Sequence, residues 1–263
     1  MNRIGQTLSL QATGHKLLVP FLTVGYPTVA ASLDLVKAAV DAGSDFVELG
    51  MPFSDPLADG PEIQHSSQVA LGNGVRLRSI LRETVPSLRQ STDIPLILMG
   101  YYNPLLSMGV ESFIQSAYDC GVDGLIIPDL PCDEALTFTH LARMADISTV
   151  FLVAPTSSHD RIMAIDQASS DFVYAVTVTG VTGAGRKFSN ETIQYLRQLR
   201  SSLSKPFVAG FGVSSASDAR RLARHSDGVV IGSALIRIIR SARTNKSAVS
   251  QVYRFLSSVR EAI

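Results

Sequence analysis

Short apolar runs alternate with longer amphipathic stretches along the whole chain. The first run is LLVPFLT at 17–23, followed by a Gly25-Tyr26-Pro27 turn. The segment 31–42 then places Leu33, Val36 and Val40 on one face of a helix, because positions three and four apart meet on a 3.6-residue period. The rhythm repeats to the end of the sequence. Strands are expected at 46–49, 95–99, 125–127, 149–153, 172–177, 207–209 and 229–231, and helices at 78–89, 110–120, 133–144, 160–168, 191–203, 216–224 and 248–263. The strand segments are apolar throughout rather than alternating, the pattern of a parallel sheet covered by helices.

Eight strand–helix units match a closed (β/α)8 TIM barrel, of α/β class, running as one domain over 1–263. An extra segment precedes the first strand, and a short extra helix is expected at 234–239 after the eighth. A doubly wound open sheet is the competitor, but its glycine fingerprint is absent from the first turn. Two connections are long, 50–75 after strand two and 180–188 after strand six. Both follow strands, which places them on the C-terminal face where barrel sites lie.

Composition narrows the function. The 263 residues are 46% hydrophobic and 17% charged, with 23 basic and 23 acidic residues and a formal net charge of zero. That balance excludes a disordered chain and lacks the basic excess of a nucleic-acid binder. Cys120 and Cys132 are the only cysteines and read as core thiols. The five histidines show no ligand spacing, so no metal is expected. Residues 1–16 lack a signal-peptide core and no apolar run reaches membrane length, so a cytoplasmic protein without membrane association is expected.

Candidate chemistry sits at strand ends. Glu48 closes the second strand between Val47 and Leu49. An acid pointing into a barrel there is desolvated, which raises its pKa toward neutrality and suits a general acid/base; the alternative is an acid that caps or pairs structurally. Asp55 and Asp59 lie in a loop stiffened by Pro52, Pro56 and Pro61, where aspartates also serve as turn-formers. Glu48 and Asp59 together would offer two carboxylates in different environments, able to take opposite proton roles. Three glycine clusters, Gly180-Val181-Thr182-Gly183-Ala184-Gly185, Gly210-Phe211-Gly212-Val213-Ser214 and Gly232-Ser233, follow strands six, seven and eight. Backbone N–H groups there, with a helix starting near Ser233, would hold a phosphate; ordinary helix-entry glycines are the plainer alternative. Phe21, Met99, Tyr101, Tyr102, Ile126 and Tyr174 are core residues singly and could together line a slot for a flat apolar group.

The stretch 46–64, FVELGMPFSDPLADGPEIQ, stands in order with Met99-Gly100-Tyr101-Tyr102-Asn103-Pro104 and Gly180-Val181-Thr182-Gly183. Together these resemble the α-subunit family of tryptophan synthase over essentially the whole chain. PFSDPLADGP is the specific part; other phosphate-binding barrels share the glycine clusters, and that loop argues against a sugar-phosphate isomerase. The resemblance implies a lyase that splits indole-3-glycerol phosphate into indole and glyceraldehyde 3-phosphate by retro-aldol cleavage, in tryptophan biosynthesis. It implies Glu48 as general acid/base and Asp59 as acceptor for the indole N–H. Gly183, Gly212, Gly232 and Ser233 match phosphate contacts, Tyr174 a tyrosine near the catalytic Glu, and Phe21, Met99 and Ile126 pocket walls. Thr182 matches a loop threonine that orders Asp59 on closure. The implied partner is a β subunit in an α2β2 tetramer, with Asp55, Asn103 and Pro131 near its interface. No cofactor is implied in this chain; pyridoxal phosphate belongs to the partner. A non-catalytic α-like activator of β is the alternative. Glu62 stands where many relatives have a small or apolar residue, and would either raise the Asp59 pKa by like-charge repulsion or face solvent.

Overall fold

Nine short strands form where the apolar runs lie: β1 (Leu17–Thr23), β2 (Val47–Gly50), β3 (Leu96–Met99), β4 (Gly124–Ile126), β5 (Ser148–Val150), β6 (Leu152–Val153), β7 (Val173–Val176), β8 (Phe207–Gly210) and β9 (Gly228–Ile231). The computed structural model describes residues 2–177, 189–210 and 212–263. All paired neighbours run parallel, in the order β5-β4-β3-β2-β1-β9-β8-β7-β6. The two ends of that order, β5 and β6, are separated in the chain only by Phe151, so they are two pieces of one stave. The sheet therefore closes on itself with eight staves, as the sequence pattern predicts; the expected strand 149–153 is broken once.

The register gives the geometry of closure. In one direction Phe21 pairs with Glu48, Ile97, Gly124 and Ser148 in turn. In the other Leu152 pairs with Tyr174, Val208, Gly228 and Leu17. The circuit slips from Ser148 to Leu152 on one stave and from Leu17 to Phe21 on another, together the shear of about eight that defines the TIM barrel.

Alternation along the staves divides the core in two. Leu17, Val19, Phe21, Phe46, Ile97, Met99, Ile126, Val150, Phe172, Tyr174, Val208 and Val230 fill the barrel interior. The intervening residues, such as Leu18, Leu22, Leu49, Leu98 and Val229, pack under the helices. The extra N-terminal segment is a helix, Arg3–Ser9, capped by the Asn2 side chain. It places Ile4, fully buried, into the interior cluster. Gly124 admits it: a Cβ there would stand 3.1 Å from the Ile4 side chain.

Acids just before three strands tie the N-terminal face. Asp45 accepts from the Leu18 N–H at 2.7 Å, Asp123 from Leu96 at 2.8 Å and Asp227 from Phe207 at 2.9 Å. Each also meets arginine: Arg260 on Asp45, Arg3 and Arg89 on Asp123, Arg200 on Asp227. This end of the barrel is locked, and the opposite end carries the longer loops.

Those loops hold helices that the periodicity did not predict. Pro61–Gly72 lies inside the connection 50–75, and Tyr102–Met108 follows β3. The expected helix 78–89 spans Leu77–Arg89 with a π-helical turn at Ile80–Thr84, just before Pro86, whose ring supplies no N–H. The expected helix 133–144 starts later, at Leu136. After β9, Ser233–Ser241 and Asn245–Arg260 take the positions expected for the extra and last helices. Among the described residues no helix is long and apolar enough to cross a membrane.

Candidate active site

Glu48 points into the barrel from β2, between Phe21 on β1 and Ile97 on β3. It is fully buried, and neither carboxylate oxygen has a hydrogen-bond partner among the described residues. Burial pushes its pKa up to about 8. At neutral pH the group therefore holds its proton. An unpaired acid inside a packed barrel opposes folding, and such strongly shifted groups concentrate at functional sites.

Asp59 reaches the same region from the loop after β2. That loop is built by short-range bonds: Leu57 N–H to Asp55 O at 2.9 Å and Asp59 N–H to Pro56 O at 3.0 Å. The Ser67 hydroxyl, on the helix Pro61–Gly72, accepts from Phe53 N–H at 2.7 Å and lies 3.0 Å from Phe53 O. Tyr101, at the end of β3, grips the corner. Its hydroxyl accepts from Ala58 N–H and donates to Asp59 Oδ2, both at 3.0 Å, while its ring stacks on Phe53 at 5.2 Å. Burial raises the Asp59 pKa to about 6, against a downward pull from the tyrosine bond. Near pH 7 the two acids stand in opposite states, Glu48 protonated and Asp59 ionised.

A cleft opens beside Asp59, lined among others by Phe21, Met51, Asp59, Ile63, Met99 and Tyr101; Glu48 lies behind this lining, next to Phe21 in the barrel interior. The cleft is narrow, mostly apolar, and has one carboxylate at its edge. The sequence candidates divide here. Phe21 and Met99 line the cleft; Ile126 is fully buried in the interior cluster and does not. Tyr102 leaves the slot altogether, packing edge-on against Phe138 at 6.0 Å in the outer layer, because the helix Tyr102–Met108 turns it away from the barrel axis. Tyr174 is buried within the fields of both Glu48 and Asp59, which with burial hold its hydroxyl protonated well above the usual range. Its hydroxyl occupies the place where a Cβ of residue 210 would be, so glycine is required there.

The glycines near β8 and β9 stand at the same C-terminal ends of the strands as Glu48. Gly212 has φ +84°, a left-handed conformation that side chains resist. Gly232 is the N-cap of Ser233–Ser241, with no side chain among the described residues capping that helix, and lies against Phe21. The first N–H groups of this helix are thus available to an anion. Thr182 and Gly183 lie outside the described residues.

Asp55, Asn103 and Pro131 are all exposed, Asp55 and Pro131 on the loops after β2 and β4 and Asn103 in the first turn of the helix Tyr102–Met108 after β3. Their neighbours in sequence include exposed leucines: Leu57, Leu106 and Leu136. Glu62 resolves against the repulsion reading. Its carboxylate meets Arg240 at 3.4 Å, and the rise at Asp59 comes from burial. The residues that sequence reasoning missed are Tyr101 as the partner of Asp59, together with Ser67 and Ile63. Tyr101 is 42 residues away in the chain, a contact without a local signal. Pro61 directly after Gly60 was the available signal for the missed helix. Among the described residues no group of three or more His, Cys, Asp or Glu is placed to hold a metal.

Comparison with known proteins places this geometry. The family model for the tryptophan synthase alpha chain matches residues 8–263. A tryptophan synthase alpha chain from Caldanaerobacter subterraneus subsp. tengcongensis is 41% identical over 264 residues, covering 100% of both chains. The crystal structure of tryptophan synthase subunit alpha from Legionella pneumophila superposes with a TM-score of 0.92 at 34% identity, covering 100% of this chain and 98% of that one. A chain of the tryptophan synthase complex from Pyrococcus furiosus gives 0.84 at 35% identity, over 92% and 97%. On a full-length match in sequence and fold, the chain belongs to the tryptophan synthase alpha chain family.

Proposed function

We propose that the chain is the catalytic α subunit of a tryptophan synthase, cleaving indole-3-glycerol phosphate to indole and glyceraldehyde 3-phosphate. The observation that carries the reading is the pair of acids: Glu48 buried without a hydrogen-bond partner among the described residues and protonated, Asp59 ionised at the edge of a narrow, mostly apolar cleft.

In this mechanism the indole ring lies among Phe21, Met51 and Met99, and its N–H donates to Asp59. Protonated Glu48 delivers its proton to ring carbon C3. The resulting indoleninium ion is stabilised by the Asp59 carboxylate. Glu48, now ionised, takes the proton from the hydroxyl on the side-chain carbon attached to C3. That oxygen forms the aldehyde carbonyl as the C–C bond breaks, and the bonding electrons return to the ring. One proton leaves Glu48 and one comes back, so the protein is unchanged after each turnover. Tyr174 keeps its proton throughout. The phosphate is held by the backbone around Gly212, Gly232 and Ser233, and the family resemblance assigns Gly183 to the phosphate and Thr182 to Asp59. The chemistry needs no metal or organic cofactor, and pyridoxal phosphate is assigned to the partner.

The partner is a β subunit, in an α2β2 assembly, seated on the face with Asp55, Asn103 and Pro131. The similarity to a chain of the tryptophan synthase complex from Pyrococcus furiosus supports a partner, and the exposed leucines at 57, 106 and 136 support this face as its seat. The cytoplasm is the compartment of such a biosynthetic enzyme. The test is indole release from indole-3-glycerol phosphate by the purified chain, alone and with β. Release by the lone chain, rising with β, is expected. Activation of β without any release would instead identify a non-catalytic activator.

A further inference from the structure

Of the ion pairs among the described residues, most sit at the N-terminal face on the acids that precede strands. Glu62–Arg240 is different. Glu62 lies in the first turn of Pro61–Gly72, three residues past Asp59 and joined to it through the stiff Gly60-Pro61 corner. Arg240 lies in the last turn of Ser233–Ser241, the helix that begins at Gly232. Its Nη1 donates to Glu62 Oε2 at 3.4 Å. The strands feeding these helices, β2 and β9, flank β1, and the loop after β1 supplies what lies between. Tyr26 from that loop is buried, feels both charges, and meets His65 of the first helix edge-on at 6.0 Å. Glu62, Tyr26, His65 and Arg240 thus join the element carrying Asp59 to the element starting the phosphate cradle.

We propose that the Glu62–Arg240 pair is a positioning contact, setting the span between Asp59 and the helix start at Gly232-Ser233. The identity of the ligand rests on the function proposed above. A substrate with a ring at one end and a phosphate at the other must reach both elements at once. A small error in their separation leaves each end able to bind alone and impairs only a ligand that needs both.

Each charge also suits its own helix end, acid at an N-terminus and base at a C-terminus. Glu62→Gln, Arg240→Gln and the swap Glu62→Arg/Arg240→Glu separate the two roles. If the charges act only on their own helices, the swap is worse than either single change. If they act on each other, the swap recovers what the singles lose.

The measurements are kcat and KM for cleavage, Kd for indole-propanol phosphate and Kd for inorganic phosphate. Each neutral variant is expected to lower kcat and weaken indole-propanol phosphate by about fourfold, the size of a partly exposed pair. Inorganic phosphate should bind all variants alike, and the swap should return to within about twofold of the parent chain. Unchanged kcat and analogue affinity in both single variants would overturn the proposal, as would a swap poorer than both. If the swap does not fold, the contrast between the two ligands in the single variants still decides. A parent chain that neither cleaves substrate nor binds the analogue overturns the function itself, and this inference with it. An active parent with indifferent variants overturns the positioning role alone.

Discussion

Glu48 is an acid kept neutral by its surroundings. Its ordinary pKa of 4.5 rises to about 8 on burial, so the folded chain binds this proton more tightly than the unfolded chain does. The sign of the pH effect follows. Below about pH 4.5 both states are protonated and the group costs nothing extra. Between about 4.5 and 8 the unfolded chain ionises while the folded chain does not, so stability falls as pH rises, then levels off. Glu48→Gln should remove that slope. Denaturant titrations of the two proteins at a series of pH values should diverge by on the order of a few kcal/mol by pH 8.5. Parallel curves would contradict burial as the source of the shift. The same two acids give a bell-shaped kcat/KM, rising with Asp59 ionisation near pH 6 and falling as Glu48 ionises near pH 8. Tyr101→Phe removes the bond that lowers the Asp59 pKa, so the acidic limb should move to higher pH and kcat fall about five- to tenfold. An unmoved limb in the pH profile would show that Tyr101 does not hold Asp59 during turnover.

At the level of elements, the strands were legible because a parallel barrel buries both faces of every stave. All seven residues of β1 are buried, and that makes a continuous apolar run that periodicity reads directly. Glu48 was legible for the converse reason: a charge interrupting such a run at a strand end must be either paired or functional, and the structure gives it no hydrogen-bond partner among the described residues. The helix Pro61–Gly72 was not legible. Its sequence PEIQHSSQVALG carries a weak apolar stripe, and much of what anchors it is polar. Ser66 reaches Thr23 at 2.7 Å, Ser67 reaches Phe53, and Asn73 beyond its end donates to Gly25 O and Pro27 O. Those are long-range bonds, invisible to a local pattern. The N-terminal helix escaped for a similar reason, since only Ile4 of its residues is buried. That one side chain plugs the barrel floor. Ile4→Ala should lower unfolding free energy by about 2–5 kcal/mol, measured in denaturant, while kcat stays near the parent value. A large loss of kcat at unchanged stability would mean the plug reaches the chemistry.

Taken as a whole, the molecule separates stability from reaction by face. Arginine–aspartate contacts lock the N-terminal ends of the strands, and the C-terminal face carries the acids, the cleft and the helix start at Gly232. Leu57 in the loop after β2, Leu106 in the helix Tyr102–Met108 and Leu136 at the start of the helix after β4 stand exposed, a cost in water that a partner surface would remove. Leu106→Glu with Leu136→Glu should weaken β-subunit binding about tenfold or more by calorimetry, with indole release by the lone chain unchanged. Undiminished binding would move the interface elsewhere.

The most direct test of the mechanism is steady-state indole release by Glu48→Gln beside the binding of indole-propanol phosphate to the same protein. The mechanism predicts a fall in release of about 10³-fold, with the analogue bound within about threefold of the parent affinity. Release at the parent rate, in a protein that still binds the analogue, would contradict the assignment of Glu48 as the acid that breaks the carbon–carbon bond.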